Sequence, residues 1–344
     1  MLHFDCDYNN GCHPEVMDAL LRTNGEFSGT YGFDAFSDKA KAAIRKACGD
    51  PTADVFFLGG GTQTNSTVID SLLKPWQGVV AAGSGHIAVH EAGAVEYTGH
   101  KVLTLPEYDG RIVAEELEDL LAAYRADETF EHMVEPGLVY ISFPTEVGTL
   151  YTAKELSDIH GVCGKYGIKL FVDGARLAYG LEAEGNDVSL EYLTAHCDAF
   201  YIGGTKCGAL CGEAVVFPRG GAPGRFFSRI KQHGALFAKG RLNGVQFGAL
   251  FTDGLYSRIG RHADGLAMKL QAVFRSHGIP VGKPSATNQQ FFILTNAQKA
   301  ALEKECLFEK WSPIDSEKAL YRFVTSWATS DSDIDELDRI LSET

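Results

Sequence analysis

Three stretches of this chain end on residue types that do chemistry. Asp198-Ala-Phe-Tyr-Ile-Gly-Gly-Thr-Lys206-Cys-Gly is an apolar run that breaks into glycines and stops on a lysine. Ile168-Lys-Leu-Phe-Val-Asp173-Gly-Ala-Arg176 is a second run, ending on an aspartate with an arginine three residues on. Phe56-Phe-Leu-Gly-Gly60-Gly61-Thr62 is a third, ending in glycines and a threonine, with Asn65 within one helical turn. A lysine taken out of water loses proton affinity and becomes a nucleophile. An aspartate at the carboxyl edge of a sheet can keep a ring nitrogen protonated through a charge-assisted hydrogen bond. Glycines that open a helix free backbone N–H groups for an anion, and Thr62 can add its hydroxyl. A Schiff-base lysine, a pyridinium partner and a phosphate turn are the three needs of pyridoxal 5′-phosphate.

Each stretch alone has an ordinary reading: a solvated lysine, an Asp–Arg pair at a helix start, a tight strand-to-helix turn. Their order at strand ends in one alternating pattern argues for the cofactor. The glycine turn is neither a Walker sequence nor a Gly-x-Gly-x-x-Gly fingerprint. His86, in Ser84-Gly85-His86-Ile87-Ala88, follows another apolar run. An imidazole there can stack on a pyridine ring and move protons. The eight cysteines are scattered, and Cys207 and Cys211 lack Cys-x-x-Cys spacing and a nearby histidine. Reduced thiols and no metal site are expected.

The elements that must position these residues follow from pattern and length. A chain of 344 residues suggests about two domains. Seven β-branched or aromatic runs, at 54–58, 79–82, 102–105, 138–142, 168–173, 199–202 and 214–217, read as strands. Helical patterns, such as those at 65–73, 114–125 and 154–166, separate most of them. The strands are nearly continuously apolar, which predicts a doubly wound α/β sheet covered on both faces. Beyond Phe217 the pattern changes to helices at 226–233 and 253–276, then strands at 291–294 and 321–325 among helices at 297–307 and 331–341. The expected organisation is an N-terminal segment, 1–25, packing near a small domain; a large cofactor-binding α/β domain, 26–241; and a small C-terminal α+β domain, 242–344. A net charge of −14 argues against a nucleic-acid partner. No apolar run approaches the ~20 residues of a membrane span, and no basic and apolar leader opens the chain. The expected location is cytoplasmic.

With these motifs in view, the chain resembles the low-specificity L-threonine aldolases, fold-type I pyridoxal phosphate enzymes of the aspartate aminotransferase superfamily. The likeness runs over essentially the whole chain. Tyr31-Gly32, Gly60-Gly61-Thr62 with Asn65, His86, Glu91-Ala-Gly93-Ala, Thr145-Glu-Val-Gly148-Thr, Asp173-Gly-Ala-Arg176, Thr205-Lys206-x-Gly208 and Arg322 in Tyr-Arg-Phe-Val-Thr-Ser-Trp carry it. It implies a mostly parallel seven-stranded sheet with helices on both faces, plus the small domain. It also implies roles. Lys206 carries the cofactor, Asp173 pairs with the pyridine nitrogen and Arg176 with the ring oxygen. His86 stacks on the ring and is the candidate base, directly or through water. Gly60, Gly61 and Thr62 hold the phosphate. Arg322 binds the substrate carboxylate, with Cys6 and Tyr31 on the substrate side. Lys231 of a neighbouring subunit, joined by Lys239 or Arg241, reaches the phosphate, so active sites lie at the interface of a homodimer or homotetramer.

Two departures stand out. Where many members have Ser-Asp, this chain has Cys6-Asp7, and a thiol is the weaker donor. Where many carry a second active-site histidine, this chain reads Phe143-Pro-Thr-Glu146-Val-Gly. The implied activity is retro-aldol cleavage of L-threonine or L-allo-threonine, a small amino-acid substrate, to glycine and an aldehyde. The alternatives on the same scaffold are a β-eliminating lyase and an aldolase preferring a bulkier aldehyde. A cofactor-binding sensor without turnover is the reading from another class.

Overall fold

The computed structural model describes residues 1–343. Its strands in chain order are β1 (Leu2–His3), β2 (Asp54–Leu58), β3 (Gln77–Ala82), β4 (Val102–Leu105), β5 (Glu135–Ser142), β6 (Lys169–Asp173), β7 (Ala199–Gly203), β8 (Glu213–Phe217), β9 (Val281–Lys283), β10 (Gln289–Thr295), β11 (Cys306–Leu307), β12 (Glu309–Pro313) and β13 (Lys318–Val324). Seven form one sheet in the order β2-β8-β7-β6-β5-β3-β4. From β7 to β4 all neighbours are parallel; β8 runs antiparallel to both β2 and β7. This is the mostly parallel, seven-stranded sheet expected from the apolar runs.

Continuous apolar strands follow from the two covered faces. Val139 and Ile141 enter one core with Val172, Phe200 and Ile202. Leu138 and Tyr140, their neighbours in sequence, enter the other with Phe171, Ala199 and Tyr201. Successive side chains point to opposite faces, so a strand buried on both sides has no polar alternation to show. β3 and β5 start earlier than their apolar runs suggest, because Gln77 pairs with Glu135 through the backbone and needs no apolar side chain there.

The topology gathers chain ends at one edge of the sheet. Ser142 is in register with Asp173 at the carboxyl ends of β5 and β6. Because β8 is antiparallel, its first residue lies at the same edge: Glu213 is in register with both Leu58 and Gly203. The helix Gly61–Leu72 begins directly after β2.

A second, four-stranded antiparallel sheet, β12-β13-β10-β9, lies in the C-terminal part. The helix Leu255–Ser276 serves both cores. Leu255, Tyr256, Ile259 and Ala263 belong to the large one, whereas Leu266, Leu270 and Phe274 pack with β10, β13 and Phe4. Residues 297–307 are not one helix. The helix Asn296–Leu302 stops and Cys306–Leu307 pairs with β1, a partner from the other end of the chain that local periodicity does not reveal. The helices Pro14–Thr23, Ala35–Ala47 and Arg241–Leu250 were not anticipated. Among the described residues no helix is long and apolar enough to cross a membrane.

Phe274 stacks on Phe292 with ring centroids 3.8 Å apart and meets Phe323 edge-on at 4.8 Å. Phe274→Ala leaves a cavity in this core. It is expected to lower unfolding stability by about 3–5 kcal/mol, read as a shift of the urea midpoint.

Candidate active site

A cavity of about 270 Å³ opens at the sheet edge described above, and Gly61, Thr62, His86, Asp173, Arg176 and Lys206 all line it. Sequence reasoning assigned these six to one site, and the structure brings them together.

Asp173 forms the floor. Its Oδ1 accepts hydrogen bonds from the Ala175 N–H at 2.9 Å and from the Tyr201 hydroxyl. Its Oδ2 accepts from the Tyr140 hydroxyl at 2.6 Å and from Asn65 Nδ2 at 2.9 Å. Burial pushes its pKa up, but His86 and the donors from Tyr140, Tyr201 and Asn65 outweigh burial and hold it below the ordinary value. The tyrosines come from β5 and β7, the strands flanking β6. Their signal in the sequence is a hydroxyl at the second or third residue from the strand end, on the side that meets Asp173.

Among the described residues the Lys206 amine has no hydrogen-bond or ion-pair partner; its Nζ stands 5.7 Å from the Tyr8 ring centroid. Burial and the Arg176 charge pull its pKa down, against the carboxylates of Asp7, Asp173 and Glu213. The loop before it is close-packed. A Cβ on Gly203 would stand 2.2 Å from the Ala175 carbonyl oxygen, and one on Gly204 2.5 Å from that of Gly212. Glu213 then fixes the loop, accepting from the Gly204 N–H at 2.9 Å and from Thr205 Oγ1 at 2.7 Å. Sequence reasoning missed Glu213. The available signal was a carboxylate opening an otherwise apolar strand, Glu213-Ala-Val-Val-Phe217.

Arg176 is held by Asp7, with Nε donating to Oδ2 at 2.7 Å and Nη2 to Oδ1 at 3.0 Å. Asn288 Nδ2 donates to the same Oδ2 at 2.9 Å. Burial would raise the Asp7 pKa, yet the charges of Arg176 and Lys206 and these donors keep it low. His86 shares Nδ1 with Glu91 Oε1 at 2.7 Å, and Asn65 Nδ2 reaches the same oxygen at 2.7 Å. Asn65 therefore bridges Glu91 and Asp173.

The helix Gly61–Leu72 opens with no side-chain cap. Its first backbone bond is from the Thr64 N–H to the Gly60 carbonyl at 2.9 Å, so the N–H groups of Gly61 and Thr62 stay free at the cavity wall, a site for an anion. Gly60 is the helix N-cap and does not line the cavity. The remaining expected residues also lie outside its wall. Arg322 donates from Nη1 to Gln289 Oε1 at 2.9 Å, is ion-paired with Glu309 and lies over the Trp311 ring. Burial and Arg176 pull its pKa down. The Cys6 thiol points to Asp5 Oδ2, 3.7 Å away. Lys231 Nζ stands 4.5 Å from the Tyr31 ring centroid, and Tyr31 borders a separate, aromatic-lined cavity. Tyr31 has a φ of +58°, a conformation that is costly for a side chain of its size.

The model of the beta-eliminating lyases matches residues 10–295. The chain belongs to this family. A solved threonine aldolase of Leishmania major is 40% identical over 100% of this chain and 99% of its own, with a TM-score of 0.96. The low specificity L-threonine aldolase of a Pseudomonas species is 29% identical over 97% of this chain and 95% of its own length. An aspartate aminotransferase of Thermus thermophilus shares the fold at a TM-score of 0.70, with 14% identity over 99% of this chain and 96% of that one. The family consists of pyridoxal phosphate-dependent lyases, and the cavity fits that cofactor. It offers an unpaired lysine, an ionised carboxylate, free helix N–H groups and, on Glu91 Oε2 and Asn65 Oδ1, buried polar atoms without partners.

Glu213 carries a pH signature. Burial, opposed by its donors and by Lys206, raises its pKa from 4.5 to about 7. The folded chain thus holds this proton more tightly than the unfolded one. That contribution is complete below pH 4.5 and is lost as pH rises to about 7, a change of about 3 kcal/mol. Glu213→Gln is expected to remove it. The stability of the variant relative to the parent should therefore rise across this window, as read from urea midpoints at each pH.

Proposed function

We propose that the chain cleaves the Cα–Cβ bond of β-hydroxy-α-amino acids such as L-threonine and L-allo-threonine, giving glycine and an aldehyde. The observation that carries this reading is an unpartnered Lys206 sharing one cavity with Asp173 and an uncapped helix N-terminus. The chain around them is 40% identical to a threonine aldolase along its whole length.

Bound pyridoxal phosphate supplies the electron sink for the breaking bond. The side chains of this protein do the rest. Lys206 is the attachment point, its proton affinity lowered by burial. Asp173 stays ionised to face the ring nitrogen, and Arg176, whose Nη1 is not used by Asp7, serves the ring oxygen. Gly60, Gly61 and Thr62 form the phosphate turn. His86 packs against the ring, with Glu91 fixing its Nδ1. Arg322 releases Glu309 to take the substrate carboxylate at two points. Cys6 precedes Asp7 and Tyr8 on the substrate side. Lys231, with Tyr31 beneath its ammonium, completes the phosphate site of a second copy in a homodimer or homotetramer. We place this assembly in the cytoplasm, in keeping with eight free cysteines. The family description favours one competing reading, β-elimination.

The decisive assay is product analysis. Glycine and an aldehyde are expected from L-threonine, L-allo-threonine or phenylserine, the last testing for a bulkier aldehyde. Pyruvate from L-serine or L-cysteine, with no glycine from the other three, establishes the eliminating lyase instead. Borohydride reduction of the holoenzyme should label Lys206, and a label on another lysine overturns that assignment.

Arg322→Lys keeps the charge and loses the planar two-point grip. It should raise KM about tenfold or more while leaving the cofactor spectrum unchanged. Mixing inactive Lys206→Ala chains with inactive Lys231→Ala chains should restore activity, because one composite site regains both groups. No recovery in mixed oligomers argues that Lys231 acts only within its own chain.

A further inference from the structure

Glu146 lines the cavity and has no role in the account so far. It sits in a tight turn held by the Thr145 N–H donating to the Thr149 carbonyl at 3.0 Å and the Gly148 N–H donating to the Thr145 carbonyl at 2.9 Å. The residue is 8% exposed. Its Oε1 accepts from Ser142 Oγ at 2.6 Å and from the backbone N–H of His86 at 2.9 Å. Both donors converge on one oxygen, and among the described residues Oε2 makes no hydrogen bond to another residue. Among the described residues no lysine or arginine forms an ion pair with it. The titratable groups around it are the imidazole of His86 and the acids Asp173, Glu91, Tyr140 and Tyr151. Burial, with Asp173 adding to it, raises its pKa against the donors from Ser142, its own N–H and His86. A buried carboxylate whose proton affinity is raised in this way is the better base towards a substrate hydroxyl.

We propose that Glu146 is a catalytic base of this enzyme, taking the proton from the substrate's β-hydroxyl as the Cα–Cβ bond breaks. This rests on the aldol-cleavage reading above. The substrate O–H bond breaks and its proton goes to the Glu146 carboxylate. The freed oxygen electrons form the C=O bond of the leaving aldehyde. With pyridoxal phosphate bound, that cofactor would supply the sink for the Cα–Cβ electron pair; a group other than Glu146 delivers a proton to Cα to make glycine, and Glu146 releases its own proton to water, restoring the carboxylate. Sequence alone points to His86 for this step. In the fold, His86 has Nδ1 committed to Glu91 and helps to aim Glu146 through its main-chain N–H.

The holoenzyme variant Glu146→Gln tests this. The amide keeps the volume and can still accept from Ser142 and His86, but it cannot take the proton. Cleavage of L-threonine and phenylserine should fall at least about 100-fold in kcat, with KM little changed. The acid limb of the kcat profile should disappear. Exchange of the glycine α-proton with heavy water needs the same bound cofactor but no β-hydroxyl, so it should persist. A readout independent of turnover is difference infrared spectroscopy across the pH range, in which a titrating carboxyl band of the parent should be missing from the variant. Glu146→Asp keeps a carboxylate one methylene short and should retain the acid limb at reduced kcat. An E146Q enzyme as active as the parent overturns the assignment alone, as does parallel loss of cleavage and of glycine exchange. A parent that releases no glycine from any β-hydroxy substrate overturns the cleavage reading itself, and this assignment with it.

Discussion

Asp173 is held as a charged carboxylate although it is buried, and much of the site's architecture follows from that. Four donors surround it: the Ala175 main chain, two tyrosine hydroxyls and Asn65. A buried ion without such company gives up its charge. The tyrosines can reach it only because β5, β6 and β7 are adjacent and parallel. Asn65 reaches it only because the helix after β2 begins at the same edge. The strand order of the sheet and the ionisation of one side chain are thus a single constraint. Asn65 extends it to Glu91 and His86, so the wall of the cavity is tied to its floor.

The antiparallel strand β8 is the other device on which the site depends. A parallel strand in its place would deliver its carboxyl end to the cavity. Reversed, it delivers Glu213, its first residue, between Leu58 and Gly203. That carboxyl then braces the turn bearing Lys206 from behind. The lysine amine can therefore stand without partners of its own while its backbone is held by the Glu213 contacts and by the Tyr179 hydroxyl on its carbonyl at 2.6 Å.

Most of the fold and the centre of the site were legible in the sequence because the signals are local. Apolar runs ending on Lys206, Asp173 and the Gly60-Gly61-Thr62 turn each read as a strand with a chemical group at its tip. What was not legible depends on distant pairing. Asp7 looks like an ordinary acidic residue near the N-terminus until Arg176, far along the chain, closes on it. Tyr140 and Tyr201 look like core aromatics until the strand order places them on either side of Asp173. The short strand at Cys306–Leu307 is hidden in a helical pattern because its partner is Leu2–His3. Glu146 was visible as a departure from the family's usual histidine, but its donors, Ser142 and the His86 main chain, appear only in three dimensions.

The route of the N-terminal segment has a consequence for how the protein comes into being. Leu2 pairs with Cys306, and Asp7 is gripped by Arg176 and by Asn288. Asp7 thus finds Arg176 169 residues along the chain and Asn288 281 residues along it. Without this segment the Arg176 guanidinium would lose its carboxylate partner and Cys306–Leu307 its ladder. The site is complete only once this segment has docked, however early the large sheet forms. Bulk or charge placed beside Asp7 would slow that docking and with it completion of the site.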